Sequence, residues 1–410
     1  MILCLVTSVD AQDVQYYYTQ AGQAKEAKDY EVFYINIGKA AELHPYHQGI
    51  MYQKGIACAL TGRNKEAVES LEQAIAIDNR FDLQVEELQP LRSLPEFQTL
   101  LKTQQEFMKP FVTSDTALVI PNLDSHFESL AYDPFSQSFF LGSINKRKVI
   151  KVNAAGEVAD FINKEDLGMS SVFGIRIDPN RNILWVCSSP MPEMENYDST
   201  LHSVVFKFDL NTAELLDKYE DRENSSIFGD LLIGPEGKVY VSDSKNNKIL
   251  IVNENTKKLE TFFESEEFWN IQGISVSSDG IFMLVSDYIK GPFHLNIVDK
   301  KLTKMTSSMK QSLKGIDGLL LHDGSFIGIQ NGVNPFRTVR YFLSSDHTSI
   351  VDSQIIDWMH PAFGEPTMGQ IVNGTLYYLA NSQWGAYDQS HQFKKEEAQN
   401  IIILKYKLSN

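Results

Sequence analysis

Six short stretches of this chain resemble one another, and their opening residues carry the oxygen-bearing side chains that could do chemistry. The copies are FESLAYDPFSQSFFLGS from Phe127, FGIRIDPNRNILWVCSS from Phe173 and FGDLLIGPEGKVYVSDS from Phe228. Then come IQGISVSSDGIFMLVSD from Ile271, IDGLLLHDGSFIGIQNG from Ile316 and TMGQIVNGTLYYLANSQ from Thr367. Aligned on their turn glycines, they place Glu128, Phe173, Gly229, Gln272, Asp317 and Met368 at one equivalent position, with Asp230 one residue further on. If these positions face a common axis, Glu128 and Asp317 bring like charges together, which repel unless something positive lies between them. A hard divalent cation with oxygen ligands meets that need. Calcium suits the ligand type best, with magnesium or zinc as alternatives. The plainer reading is that such residues hydrogen-bond to the backbone of a neighbouring segment.

A cation held there would act as a Lewis acid and lower the pKa of bound water. Asp317 is then the first candidate proton acceptor and Asp230 the second. Arg337 and Arg340, in NPFRTVRYF, form either a solvated face or an anion clamp at a channel mouth. Trp384 either stacks on a sugar-like ligand or packs internally. Other chemistries lack their motifs. The three cysteines form no CxxC or Cys/His cluster, and no HExxH, GxSxG, P-loop or strand-linked GxGxxG is present.

The elements that must position these residues are β-hairpins. Each copy alternates, turns at a Pro/Asp/Gly cluster and climbs a second apolar strand, and the copies start 43 to 55 residues apart. That length suits a four-stranded blade. Strand-like runs between copies, such as KVIKVNA, SVVFKFDL, KILIVNE and FHLNIVD, supply the outer strands, and NIIILKYKL closes the last blade. Residues 123–410 are therefore expected to form a six-bladed β-propeller, and the fold class is mainly β with an N-terminal α-helical domain.

Residues 12–108 read as helices with a period of 34, relating Ala40 to Ala74 and Ile37 to Leu71. Gly55, Ala67 and Ala74 fall where antiparallel helices touch, and Gly62 lies in the turn. This pattern resembles the tetratricopeptide repeat, which implies either a groove for a protein partner or a spacer. Leu83 to Phe107 is expected to cap the stack, and residues 109–122 to link it to the propeller. Residues 1–11, MILCLVTSVDA, resemble the remnant of a secretory signal, implying a secreted or periplasmic protein. The net charge of −16 argues against nucleic acid as a partner. No stretch has the length of apolar residues a membrane span needs. Asn224 and Asn373 match the glycosylation sequon.

FESLAYD, FGDLLIGPEGKVYVSDS, IQGISVSSDG and IDGLLLHDG together resemble the senescence marker protein/gluconolactonase family, over roughly residues 123–408. The resemblance implies a divalent cation in the channel, held by Glu128, Gln272 and Asp317, that polarises a lactone carbonyl. Two departures stand out. Gln272 replaces an Asn of the family, and Gly229-Asp230 replaces an Asn-Asp pair. The expected function is metal-dependent hydrolysis of lactone-like or ester substrates, with a small lactone or sugar-like molecule as the ligand. The alternative is a non-catalytic propeller that binds a ligand or protein.

Overall fold

The computed structural model describes residues 8–163, 167–223, 225–309 and 311–409. Residues 1–7 of the signal-like stretch, and Asn224 of the first sequon, lie outside the described residues. The chain divides into a helical unit of residues 1–110, joined by 309–314 and 332–335, and a β unit holding the rest.

In the helical unit, α1 (Ser8–Glu26), α2 (Tyr30–Leu43), α3 (Gln48–Leu60) and α4 (Asn64–Ile77) pack in sequence as antiparallel neighbours. Asp29 begins α2 by accepting the Val32 N–H at 3.2 Å, satisfying one of the donors a helix start leaves open. α3 and α4 touch at Gly55, where an added Cβ would lie 2.6 Å from Leu71 Cγ. A 3₁₀ turn (Glu86–Leu91) and α5 (Pro95–Phe107) follow. They contribute the fully buried Leu88, Leu91 and Phe97 to the same core as Phe33 and Ile37. No helix among the described residues is long and apolar enough to cross a membrane.

Among the described residues the β unit contains six sheets, five of them four-stranded and antiparallel and one an antiparallel four-stranded sheet extended by two short strands. Sheet one is β3 (Phe127–Asp133), β4 (Ser138–Ser143), β5 (Val149–Val152) and β6 (Val158–Ile162). Sheet two is β7 (Ser171–Asp178), β8 (Ile183–Ser189), β9 (Ser203–Asp209) and β10 (Leu215–Asp221). Sheet three is β11 (Phe228–Ile233), β12 (Val239–Asp243), β13 (Lys248–Asn253) and β14 (Lys258–Glu264). Sheet four is β15 (Ile271–Val276), β16 (Phe282–Asp287), β17 (Gly291–Asn296) and β18 (Leu302–Lys304). Sheet five is β20 (Ile316–His322), β21 (Ser325–Gln330), β22 (Arg337–Leu343) and β23 (Ser349–Trp358), with β1 (Phe111–Val112) and β19 (Thr306–Ser307) added along β23. Sheet six is β24 (Gly369–Val372), β25 (Thr375–Leu379), β26 (Ile401–Lys407) and β2 (Asp115–Ile120). The first strands touch in a closed cycle, β3 to β7, β11, β15, β20, β24 and back to β3. That ring makes the unit a six-bladed propeller, and the six repeated stretches are its inner hairpins.

Two expectations change here. Residues 109–122 are not a plain linker, because they hold β1 and β2. NIIILKYKL does form β26, but it is the third strand of its blade. β2 completes that blade from before the first one, with Ile120 opposite Ile401. Pairing the first strand of the ring with the last in one sheet ties its two ends together. The two arginines also differ from both earlier readings. Arg337 and Arg340 lie on β22 and are only 1% and 3% exposed. Their Nε groups donate to Gln330 Oε1 at 3.0 Å and to Ser325 Oγ at 2.8 Å. Arg340 Nη1 also donates to the Ser409 carbonyl at 2.7 Å, and buried donors engaged within the protein in this way are neither a solvated face nor a clamp.

Closure converges on Asp357 at the end of β23, which is fully buried. It accepts the N–H groups of Thr113 at 2.8 Å and Ser114 at 3.1 Å, the Ser114 hydroxyl, and the Tyr378 hydroxyl at 2.6 Å. Asp357→Ala leaves those buried donors without an acceptor, an expected loss of roughly 2–5 kcal/mol. Thermal unfolding reads it directly; a melting temperature unchanged within about 1 °C would show that closure does not depend on this carboxylate.

Candidate functional site

The inner strands do not pair evenly. β3 slips register between Phe127 and Ser129, β7 between Val172 and Gly174, and β11 between Phe228 and Leu231. β15 slips between Ile271 and Ile274, and β20 between Ile316 and Gly318. In the sixth blade Leu379 bonds to two successive residues, accepting from Thr367 N and donating to Met368 O. Extra residues of this kind re-aim side chains locally. They fall on Glu128, Phe173, Gly229, Gln272 and Asp317, the positions that the sequence alignment made equivalent.

Glu128 and Asp317 meet, and the residue that joins them is Thr367. Its hydroxyl oxygen lies 2.7 Å from Asp317 Oδ2 and 3.3 Å from Glu128 Oε1. The carboxyls come from blades one and five, which flank blade six, and not from opposite walls. Asn331 Nδ2 donates to Asp317 Oδ2 at 2.8 Å. Trp384 Nε1 donates to Glu128 Oε1 at 3.1 Å, so this indole serves the carboxyl. His126 Nε2 lies 3.2 Å from Glu128 Oε2, and its Nδ1 lies 3.1 Å from the Tyr387 hydroxyl.

Burial decides the electrostatics. Desolvation pushes Glu128 up to about 7, against the lowering effect of its hydrogen bonds. Desolvation, then the charge of Glu128, pushes Asp317 up to about 7 as well. A third carboxyl, Glu365, is raised to about 7 by burial and by the charges of Glu128 and Asp317. His126, wholly enclosed, is held down to about 3 by desolvation and stays neutral at physiological pH. Two buried carboxyls sharing one hydroxyl favour a state in which one keeps a proton.

The other two expected site residues are engaged elsewhere. Asp230 is fully buried, with Arg176 Nη2 at 2.9 Å and the N–H groups of Leu231 and Ile274 at 2.7 and 3.4 Å. It ties blades two, three and four together. Gln272 donates through Nε2 to Asn270 Oδ1 at 2.8 Å. Its Oε1 lies 2.9 Å from where a Cβ on Gly229 would stand, and Ser244 Oγ lies 2.5 Å from that point. The two departures from the family pattern therefore share one space: the longer Gln272 reaches toward the volume that a side chain at 229 would need. Among the described residues no three His, Cys, Asp or Glu side chains form a group able to hold a metal ion. Of the expected ligands, Glu128 and Asp317 come together, and no contact joins Gln272 to them among the described hydrogen bonds.

Sequence reasoning missed His126, Asn331, Thr367 and Glu365. His126 stands immediately before β3, two residues ahead of Glu128, so a signal existed in its closeness along the chain. Thr367 opened the sixth copy, yet Met368 was aligned to the site. Glu365 and Asn331 carry no local pattern.

Both raised carboxyls hold protons at pH values where the unfolded chain has released them. Their stabilising contribution is complete below about pH 4 and disappears as pH rises through about 7. Asp317→Asn should therefore gain melting temperature relative to the parent between about pH 5 and pH 8; parallel melting curves would contradict the assignment. Gly229→Ala is expected to cost about 1–3 kcal/mol, with part recovered by adding Gln272→Ala. Strictly additive costs in denaturant titrations would mean that the two positions do not share space.

No family model matches the sequence, and no curated protein matches it. Among solved structures, similarity is found to a PQQ-bound aldose sugar dehydrogenase from Streptomyces coelicolor, with 13% identity and a TM-score of 0.48. Virginiamycin B lyase from Staphylococcus aureus is similar at 12% identity and a TM-score of 0.45. Each match covers 73% of this chain and all of the other.

Proposed function

We propose that the propeller hydrolyses lactone-like or related ester substrates through Glu128, Thr367 and Asp317. The observation that carries this reading is the meeting of two buried carboxyls, from separate blades, at one threonine hydroxyl. With one carboxyl ionised and the other protonated, acid and base stand side by side near neutral pH. Asp317 takes a proton from water as the water oxygen bonds to the carbonyl carbon. Glu128 gives its proton to the departing alkoxide oxygen as the ester C–O bond breaks. The product is a hydroxy acid. Thr367, donating to Asp317 and accepting from Glu128, provides the path that returns the proton.

The resemblance to the gluconolactonase family supports the substrate class and raises a divalent cation as the competing occupant of the same oxygens. Such a cation would be held by Glu128, Gln272 and Asp317, and no step is derived through it. The helical hairpins are read as tetratricopeptide-type units, supported by the close approach at Gly55 and the turn at Gly62.

The test measures opening of a panel of γ- and δ-lactones against pH, with and without chelator, alongside metal content. Asp317→Asn and Glu128→Gln are each expected to lower kcat by about 10²–10⁴-fold. Loss of activity with chelator, stoichiometric metal, and loss of that metal in Asp317→Ala would assign the oxygens to a cation instead of a proton. Absence of hydrolysis across the panel would leave the second reading, a ligand-binding propeller, which the engagement of Asp230 by Arg176 favours.

A further inference from the structure

A third acid stands beside the carboxyl pair of blades one and five. Glu365 lies two residues ahead of Thr367, whose hydroxyl touches both Glu128 and Asp317. Its backbone is in the left-handed region at φ 72°, and the Ser382 N–H donates to its carbonyl at 3.1 Å. The Glu365 carboxyl feels the charges of Glu128 and Asp317. Among the described residues none of the three carboxyls is paired with a lysine or arginine. A hydroxyl in the same place is idle. Ser382 is wholly buried, and its Oγ makes no hydrogen bond of normal geometry although it stands close to Glu128. A buried hydroxyl left without a partner is unusual in a folded protein. Two residues further on, the half-buried Trp384 donates to Glu128 and packs on the apolar cluster that holds Ile144, Phe173 and Met191.

We infer that these carboxyls and Ser382 bind a primary ammonium carried on an apolar stem. Such a group brings what the oxygens lack, a positive charge and three N–H donors. Glu365 and the ionised member of the Glu128–Asp317 pair take two of the donors, and Ser382 Oγ takes the third. The stem lies along Trp384. An alcohol of the same length brings one donor and no charge, whereas a trimethylated ammonium brings the charge and no donor. The inference concerns the site assigned to hydrolysis but does not rest on that reading, because binding is read without turnover.

The experiment uses the full chain, treated with chelator, in isothermal titration calorimetry at about pH 8 and low salt, where ammonium and carboxyls are both ionised. The probe is n-hexylammonium. One site per chain is expected, with 1-hexanol and hexyltrimethylammonium each bound at least about tenfold more weakly. Glu365→Gln should weaken the probe by about tenfold or more. Ser382→Ala should weaken it by at least about threefold, and it carries the test if Glu365→Gln fails to fold. Glu266→Gln removes the same charge from an exposed position and should leave the affinity unchanged. No binding, equal binding of the alcohol or the trimethylated analogue, or unchanged affinity in Glu365→Gln overturns the inference. So does equal weakening by Glu266→Gln, since the net charge of the chain would then be the attraction. A protein that opens no lactone yet binds the probe sinks the hydrolase reading alone.

Discussion

A ring of twisted sheets has a problem that a single sheet lacks: its two ends must find each other. Here β2 crosses from before the first blade to pair with β26, and Asp357 gathers Thr113, Ser114 and Tyr378 at the seam. A buried carboxylate with that many donors is costly to leave half-satisfied, so the seam tends to be complete or absent. Only in the closed ring do blades five, six and one become neighbours. The candidate site is made from those three blades, so its geometry depends on the closure.

Within the ring, the irregularity of the inner strands matters more than their regularity. A uniformly paired strand would send alternate side chains between blades. The slips at Glu128 and Asp317 instead let the two carboxyls reach Thr367. The same device at Gly229 and Gln272 has a different outcome, because a long amide and a missing side chain occupy one space. The slip at the third blade leaves Asp230 buried against Arg176, where its charge is spent on holding backbone N–H groups. Equivalent backbone geometry thus yields a pair of carboxyls sharing one hydroxyl on one side of the ring and a carboxylate tied to an arginine on the other. Side-chain length and the available counter-charge decide between them.

Much of this was legible along the chain. The alternation, the turn glycines and the spacing of the six copies identified the inner hairpins, because a buried strand writes its period of two into the residues it can tolerate. The equivalence of Glu128 and Asp317 was legible for the same reason. The seam was not. ALVI in β2 is too short to declare a strand without its partner, and that partner lies far away in sequence. Thr367 was passed over because a one-residue slip in the sixth blade exchanges it with Met368 at the aligned position.

By itself, then, the order of residues determined the periodicities: helices with a repeat of 34 residues, six hairpins, and acidic residues at the starts of two of them. These are local properties, set by how side chains partition between apolar and aqueous surroundings over a few residues. Which carboxyls meet, which is neutralised by an arginine, and how far burial lifts their affinity for protons were decided only by tertiary structure. Those quantities depend on distances between blades and on the water each group loses, and neither is a property of any short stretch of chain.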